Sequence, residues 1–338
     1  MKGENKMKKN EKTAILIAVI LVVAGLVISS LAFRTLGSTE IGIDLIGNKT
    51  NTVGVGSAQM VTNTHSIDEK FANMDIRTET AYVNFELSKD GECKVVCEEH
   101  EQDEHEVYVE NGTLIIKKRS GNRTFITVGI STGRQSITVY LPQKSYDKLV
   151  IATNTGDVSV PEFLSFGSAD VKTDTGYTHF YGDVKGALSF ESDTGDITAQ
   201  DINPKTLNVS TDTGKVSLNG MRVSGDVVVH SDTGDTEMTG VKCRGLEMSS
   251  NTGDIILGKV IASANADIET DTGDVYLKGF DAEEIYIRTN TGEVMGTILS
   301  EKVFLTESDT GRIDVPKSIT GGRCEITTDT GDITIEVA

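Results

Sequence analysis

The sequence predicts an all-β protein: a β-solenoid of about ten coils of 19–20 residues, with an N-terminal β cap and one transmembrane helix before it. Three observations carry that expectation. The phrase Ser/Thr–Asp/Asn–Thr–Gly recurs ten times, ending on Gly156, Gly176, Gly195, Gly214, Gly234, Gly253, Gly273, Gly292, Gly311 and Gly331, with every gap 19 or 20 residues. A fixed period near 20 residues marks a stack of structural repeats. Around each glycine, apolar and polar residues alternate, as in Leu207, Val209, Thr211 and Thr213, then Val216 and Leu218. Alternation of that kind is strand periodicity. Finally, Ala14 to Phe33 contains no charged residue.

Within one coil the phase of the alternation shifts once, and the glycine is the expected site of a bulged corner. On that reading the ten threonines from Thr155 to Thr330 form an inward column, with a Ser/Thr column two residues earlier. A second corner is expected at Gly220, Gly240, Gly258 and Gly279, or at Pro161, Pro204 and Pro316, because proline lacks the N–H a central rung must donate. Ten coils at strand spacing span about 48 Å.

Taken from the start, residues 1–12 form a basic tail with Lys2, Lys6, Lys8, Lys9 and Lys12. Residues 13–33 are expected to cross the membrane, since about 20 residues of helix match its hydrocarbon thickness. The lysines place the N-terminus inside and the C-terminal ectodomain outside, a single-pass cell-membrane topology. A cleaved signal peptide ending near Ser30-Leu31-Ala32 competes, but its apolar region would exceed the usual length of about 7–15 residues. Residues 34–66, rich in Gly, Thr, Asn and Ser, read as a flexible tether.

Residues 67–142 lose the period and keep strand patterns at Lys94–Cys97, Glu106–Glu110, Leu114–Lys117 and Ile137–Leu141. Asn111-Gly112 signals a hairpin between two of them. Ile76 to Val83 parallels Ile287 to Val294, with Ala81 in the glycine position. This stretch is therefore expected to be a degenerate first coil plus a β cap, and its acidic run from Glu98 to Glu106 a solvated loop. Residues 143–338 hold the repeats.

Of the 32 basic and 51 acidic residues, 5 and 2 lie in residues 1–12, which leaves the rest with a net charge of −22 that disfavours nucleic acid and anionic lipid as partners of the ectodomain. Of the four cysteines, Cys93 and Cys97 sit about 13 Å apart on an extended strand, too far to bridge. Cys324 falls on an inward position and reads as a small core residue.

A lysine-flanked apolar helix, Ile137-Thr138-Val139-Tyr140-Leu141-Pro142 in a β region, and repeats of Asp-Thr-Gly-Asp-Val/Ile resemble the bacterial putative-adhesin family. That family is a membrane-anchored β-solenoid domain of unknown function that includes LiaG-like proteins. The resemblance covers about residues 71–338. It implies a bacterial cell-surface solenoid, with no catalytic residue to carry over.

Chemistry has to be weighed against that background. Asp-Thr-Gly is also the triplet of aspartic proteases, whose two aspartates must share a proton. Three of the ten copies here are Asn-Thr-Gly, and a solenoid lines all copies along one edge instead of facing two together. No Cys/His metal spacing, phosphate loop or nucleophile elbow stands out, and His179 and His230 read as isolated. Calcium is the stronger alternative. Two carboxylate columns flank the corner, and like charges about 4.8 Å apart repel by about 0.9 kcal/mol in water. Asp232, Asp235, Asp254, Asp271 and Asp274 are the candidate ligands, with calcium expected as a weak counter-ion and no other cofactor.

The expected function is non-catalytic binding or scaffolding at the cell envelope, with an envelope protein or glycan as partner. A regulatory ectodomain in an envelope-stress system and a glycan-active β-helix enzyme are the alternatives. Outward aromatic residues in a cluster would favour glycan, with Tyr276 and Tyr286 as candidates. The last strand, Ile333 to Ala338, follows the tenth corner with no capping segment after it, so self-association through this C-terminal rung is a further expectation.

Overall fold

The computed structural model describes residues 60–101, 103–119 and 134–338. The segments expected to be tail, membrane helix and tether up to residue 59 lie outside the described residues. Residues 60–66, read as tether, belong to strand β1 (Met60–Ile67), which pairs antiparallel with β4 (Cys93–His100). Its β-branched residues alternate about the inward Val61, Asn63 and His65, so a polar composition concealed a strand.

All regular elements among the described residues are strands, arranged in two 14-stranded sheets and a two-stranded one. Each coil gives a long strand to one sheet and a short strand to the other, with the corner phrase between them. The Gly195 coil, for example, uses Ala187–Thr194 and Ile197–Gln200, both parallel to their neighbours on either side. A short third side closes the triangle, where Lys242–Cys243 pairs with Ile261–Ala262. Leu188, Phe190, Ile197, Ala199 and Ile202 all face the interior of that one coil.

The corner is built from backbone. A Cβ added to Gly195 would stand 2.0 Å from the carbonyl oxygen of Gly176, and one on Gly214 would stand 2.3 Å from that of Gly195. Both residues have φ of 147°, which side chains rarely adopt. Inside the stack the corner N–H donates to the threonine carbonyl of the next coil, Gly195 to Thr213 at 2.9 Å. With the glycine backbones stacked so closely, no side chain fits inside the turn.

This corrects the threonine column. Thr155 through Thr330 are exposed, whereas the inward column is Thr153, Thr173, Ser192, Thr211, Ser231, Ser250, Thr270, Thr289 and Thr328. The phase breaks before the glycine. Ladder pairing runs Thr173↔Ser192 and Thr175↔Thr194 and passes over Asp174 and Asp193. The unpaired Asx acts as a bulge and turns the following threonine outward. Among the buried hydroxyls, Thr289 and Thr328 donate to corner glycine carbonyls at 3.3 and 3.1 Å. At the second corner Gly220, Gly240 and Gly279 have positive φ as expected, but in the Gly258 coil the left-handed residue is Lys259.

Both ends depart from sequence order. At the C-terminal end Gly322–Thr330 pairs with Ile285–Thr291 on one side and Lys302–Thr310 on the other. In the second sheet Ile333–Val337 lies between Val294–Ile298 and Ile313–Asp314. The last coil in sequence is thus inserted beneath the one before it. The C-terminal rung is paired on both sides, so the expected free edge is not there; the outermost coil is that of Gly311.

At the other end β2 (Asn73–Thr78) and β3 (Tyr82–Leu87) form a coil whose corner is Ala81, and Gly156 stacks on the Ala81 carbonyl. On its far side lie β6 (Thr113–Lys118) and β7 (Ser136–Leu141), a further coil in parallel register. The first coil in sequence is therefore also sandwiched, between β6/β7 and the pair β8 (Ser145–Thr155) and β9 (Val158–Val160). Beyond β6/β7, β4, β1 and β5 (His105–Glu110) close the stack with antiparallel pairing. The Asn111-Gly112 hairpin joins β5 to β6, with φ of 50° and 73°. An aromatic file of Phe71, Tyr146, Phe166, Phe180 and Phe190, with centroids 5.5–6.4 Å apart, runs from the cap into the repeats.

Candidate functional site

Three places combine chemistry-bearing residues: the corner edge, the cap, and the outer face of the Gly176 coil. At the corner edge the aspartates are already engaged with the fold. Asp235 Oδ1 accepts the N–H of Asp254 at 3.0 Å, Asp254 that of Asp274 at 2.9 Å, and Asp274 that of Glu293 at 2.7 Å. Asp157, Asp196 and Asp332 cap Tyr177, Lys215 and Arg312 in the same way. In the preceding column Asn251 donates its side-chain amide to Asp232, and Asn290 to Asp271, each at 3.1 Å. The asparagines therefore convert a repulsive carboxylate pair into a hydrogen bond. The ten triplets line one edge of the solenoid, as the sequence suggested.

In the cap the structure gathers residues that sequence reasoning passed over. Glu99 and His105 belong to the acidic run read as a solvated loop, yet Glu99 is 1% exposed and His105 3%. Glu99 sits on the inward row of β4, so the strand carries it inside. His105 Nδ1 lies 2.6 Å from Glu99 Oε2, and the His105 backbone N–H donates to the same oxygen at 2.9 Å. Asn63 donates to Glu99 Oε1 at 2.8 Å, and His105 Nε2 lies 3.0 Å from the Thr78 hydroxyl. Burial works against the Glu99 carboxylate, but the bonds from His105 and Asn63 outweigh it and hold its pKa below the usual range.

The Cys97 thiol joins this group. Ligand atoms of Cys97, Glu99 and His105 all lie within 4.8 Å of one another. Burial, with the Glu99 charge, pushes the thiol pKa up to about 12. Thr78, His105 and Glu99 have the connectivity of a nucleophile, base and acid. However, Thr78 is buried and its oxygen also accepts the Ala81 N–H at 3.2 Å, so no substrate carbonyl reaches it. The trio plugs the end of the inward hydroxyl column, because Thr78 pairs with Thr153 in the next coil. The sequence signal was Cys93-x3-Cys97-x-Glu99 followed by His105, concealed by the surrounding charges.

On the outer face, Tyr177 stacks on His179 at 6.5 Å and 15°, so His179 is not isolated. Tyr177 is 51% exposed and Tyr181, two residues past His179, is 38% exposed. Asp157 and Asp196 flank Tyr177 on the neighbouring coils. The other histidine, His230, bonds Ser249 at 2.6 Å. The two candidate tyrosines do not adjoin: Tyr276 faces out of one sheet between Ile256 and Met295, and Tyr286 belongs to the other. Tyr286 borders a shallow depression of about 230 Å³ with Asp267, Glu269, Arg288 and Glu325. All four cysteines are free thiols, with Cys324 buried as expected.

The stacked corners, the inward hydroxyl column and the outward side chains define a parallel β-solenoid. Residues 71–231 and 205–338 each match Toastrack DUF4097, and the chain belongs to that family. Among solved structures it is similar to one described as a putative lipid binding protein from Parabacteroides distasonis, at 16% identity over 81% of this chain and 97% of that one, TM-score 0.48. It is also similar to a putative adhesin from Bacteroides fragilis, at 14% identity over 83% and 98%, TM-score 0.35. A second putative adhesin from Parabacteroides distasonis shares 11% identity over 82% and 98%, TM-score 0.44. No curated protein matches the chain.

Proposed function

We propose that this chain is a cell-envelope binding protein without catalytic activity, anchored through residues 13–33 and displaying its solenoid outside the membrane. The observation that carries the reading is the exposed row Tyr177, His179 and Tyr181, with His179 lying between Ser159 and Thr198 on the sheet face. Exposed aromatic clusters are costly in water and mark interaction sites. From Tyr177 to Tyr181 the row spans about 13 Å along the strand. Flat rings receive the C–H faces of sugar rings, and the flanking Asp157 and Asp196 supply acceptors for hydroxyls. An envelope polysaccharide therefore fits the row better than an anion, which the acidic surface repels.

The purified protein mixed with isolated cell-wall polysaccharide tests this. Tyr177→Ala combined with Tyr181→Ala should weaken binding at least about tenfold while leaving thermal unfolding within a few degrees, since both side chains are exposed. Undiminished binding by the double variant removes the row as the contact surface. Protease added to wall-free cells should digest the region after residue 60 and spare an N-terminal tag; a protected C-terminus would overturn the outward orientation.

A further inference from the structure

The cap cluster is built like a metal centre, both in its ligands and in the groups that support them. Three donors of different chemistry converge from two strands: a thiol on Cys97, a carboxylate on Glu99 and an imidazole on His105, all buried and within 4.8 Å. Cys, His and carboxylate together suit zinc, which takes three protein ligands and a fourth from water in open sites.

The surrounding bonds are the independent observation. A metal-bound histidine donates its second ring N–H to a fixed acceptor, and a metal-bound carboxylate is held by a donor on its other oxygen. Both supports are in place. With Nδ1 turned toward the cluster, His105 Nε2 lies 3.0 Å from Thr78 Oγ1. With Oε2 turned toward it, Glu99 Oε1 receives the Asn63 amide at 2.8 Å. The Glu99–His105 contact of 2.6 Å has to open by about 0.7–0.8 Å to seat a tetrahedral ion about 2.0–2.1 Å from each atom. A hydrogen-bonded plug requires only the Glu99–His105–Thr78 chain, whereas the Cys97 thiol adds a third ligand atom within 4.8 Å of both the carboxylate and the imidazole.

We infer that Cys97, Glu99 and His105 form a structural site for a divalent metal of the zinc type, which staples β4 and β5 to the first corner through Thr78. The thiol gives up its proton when the metal binds. Bound metal would lock the cap onto the solenoid end and so protect the β6/β7 coil beneath it.

The test uses the full chain, stripped with chelator and titrated with Co²⁺, then Zn²⁺. One Co²⁺ per chain should bind with a thiolate charge-transfer band that Zn²⁺ abolishes, and Zn²⁺ should raise the melting temperature by several degrees. Cys97→Ser should remove the band, while Cys243→Ser and Cys324→Ser keep it. Asn63→Ala, which leaves all three ligands in place, should weaken affinity about 10–100-fold. A band that survives Cys97→Ser in a folded protein overturns the assignment. So does a full chain that shows neither band nor melting shift, in which case the cluster is a hydrogen-bonded plug alone.

Discussion

The middle of the solenoid and its two ends are made from the same kind of coil, but they are assembled by different rules. From Gly176 to Gly273 each coil pairs with the coils before and after it in sequence. At each end one coil is out of order: Ala81 lies between β6/β7 and β8/β9, and the Gly331 coil between those of Gly292 and Gly311. The chemistry of the outermost coils explains the exchange. The Gly311 coil contributes only Ile313–Asp314 to the second sheet, then reaches Pro316, and carries Glu307, Asp309, Arg312 and Asp314. Proline and charge protect a free edge against strand addition. The Gly331 coil has Ile333 and Ile335 fully inside and a five-residue strand, which suits a place between two neighbours.

Ala81 follows the same logic. A Cβ on a corner glycine points toward the stacked coil nearer the cap, where a corner carbonyl blocks it, that of Ala81 for Gly156 and of a glycine for the others. On that side of Ala81 lies the β6/β7 coil, where the Tyr82 N–H donates to the Gln135 carbonyl. Middle coils are therefore interchangeable, whereas end coils are individual.

Deletions should break or sharpen this contrast most. Removing Lys215–Gly234 rejoins one corner phrase to the next and should leave a shorter, folded solenoid, as repeat stability is a sum of near-neighbour terms. Removing residues 322–338 strips the backbone partners from two coils at once. It should expose amides of Ile285–Ile298 and Ile313–Asp314 to hydrogen exchange and lower the melting temperature by more than about 10 °C. Equal tolerance of both deletions would show that the end order carries no stability.

Glycine substitutions come next. Gly214→Val meets the Gly195 carbonyl and a φ of 147°, so a loss on the order of 4 kcal/mol is expected. Gly91→Ala has open space and only a φ of 79° against it, and should cost about 1–2 kcal/mol. Chemical denaturation of the two variants compares them directly. Smaller again is the edge ladder. Asp254→Ala loses the acceptor for Asp274 N–H, about 1 kcal/mol. Asn251→Asp replaces a bond to Asp232 by repulsion, about 0.5 kcal/mol, and salt should erase most of it.

Calcium should act least. We expect millimolar Ca²⁺ against chelator to move the melting temperature by about one or two degrees, because Asp235, Asp254 and Asp274 already hold backbone N–H groups. A shift above about 10 °C would mean that Asp232, Asp235, Asp254, Asp271 and Asp274 form dedicated sites.

The sequence by itself determined the coil. Period, corner glycine, alternation and the Asn111-Gly112 hairpin are local properties, each set by sterics over a few residues and repeated often enough to read. It also indicated that Cys324 faces inward and that Ala81 stands in a corner. The tertiary structure decided what local patterning leaves open. Which of Thr153 and Thr155 points inward depends on whether Asn154 enters the ladder, a property of the neighbouring coil. The order of the last two coils depends on which one tolerates a free edge, and stacking energy is indifferent to chain order once the corners match. The cap cluster joins Asn63, Thr78, Cys97, Glu99 and His105 from four strands; no periodicity links them, and the pairing of β1 with β4, of β2 with β6 and of β5 with β6 brings them within reach.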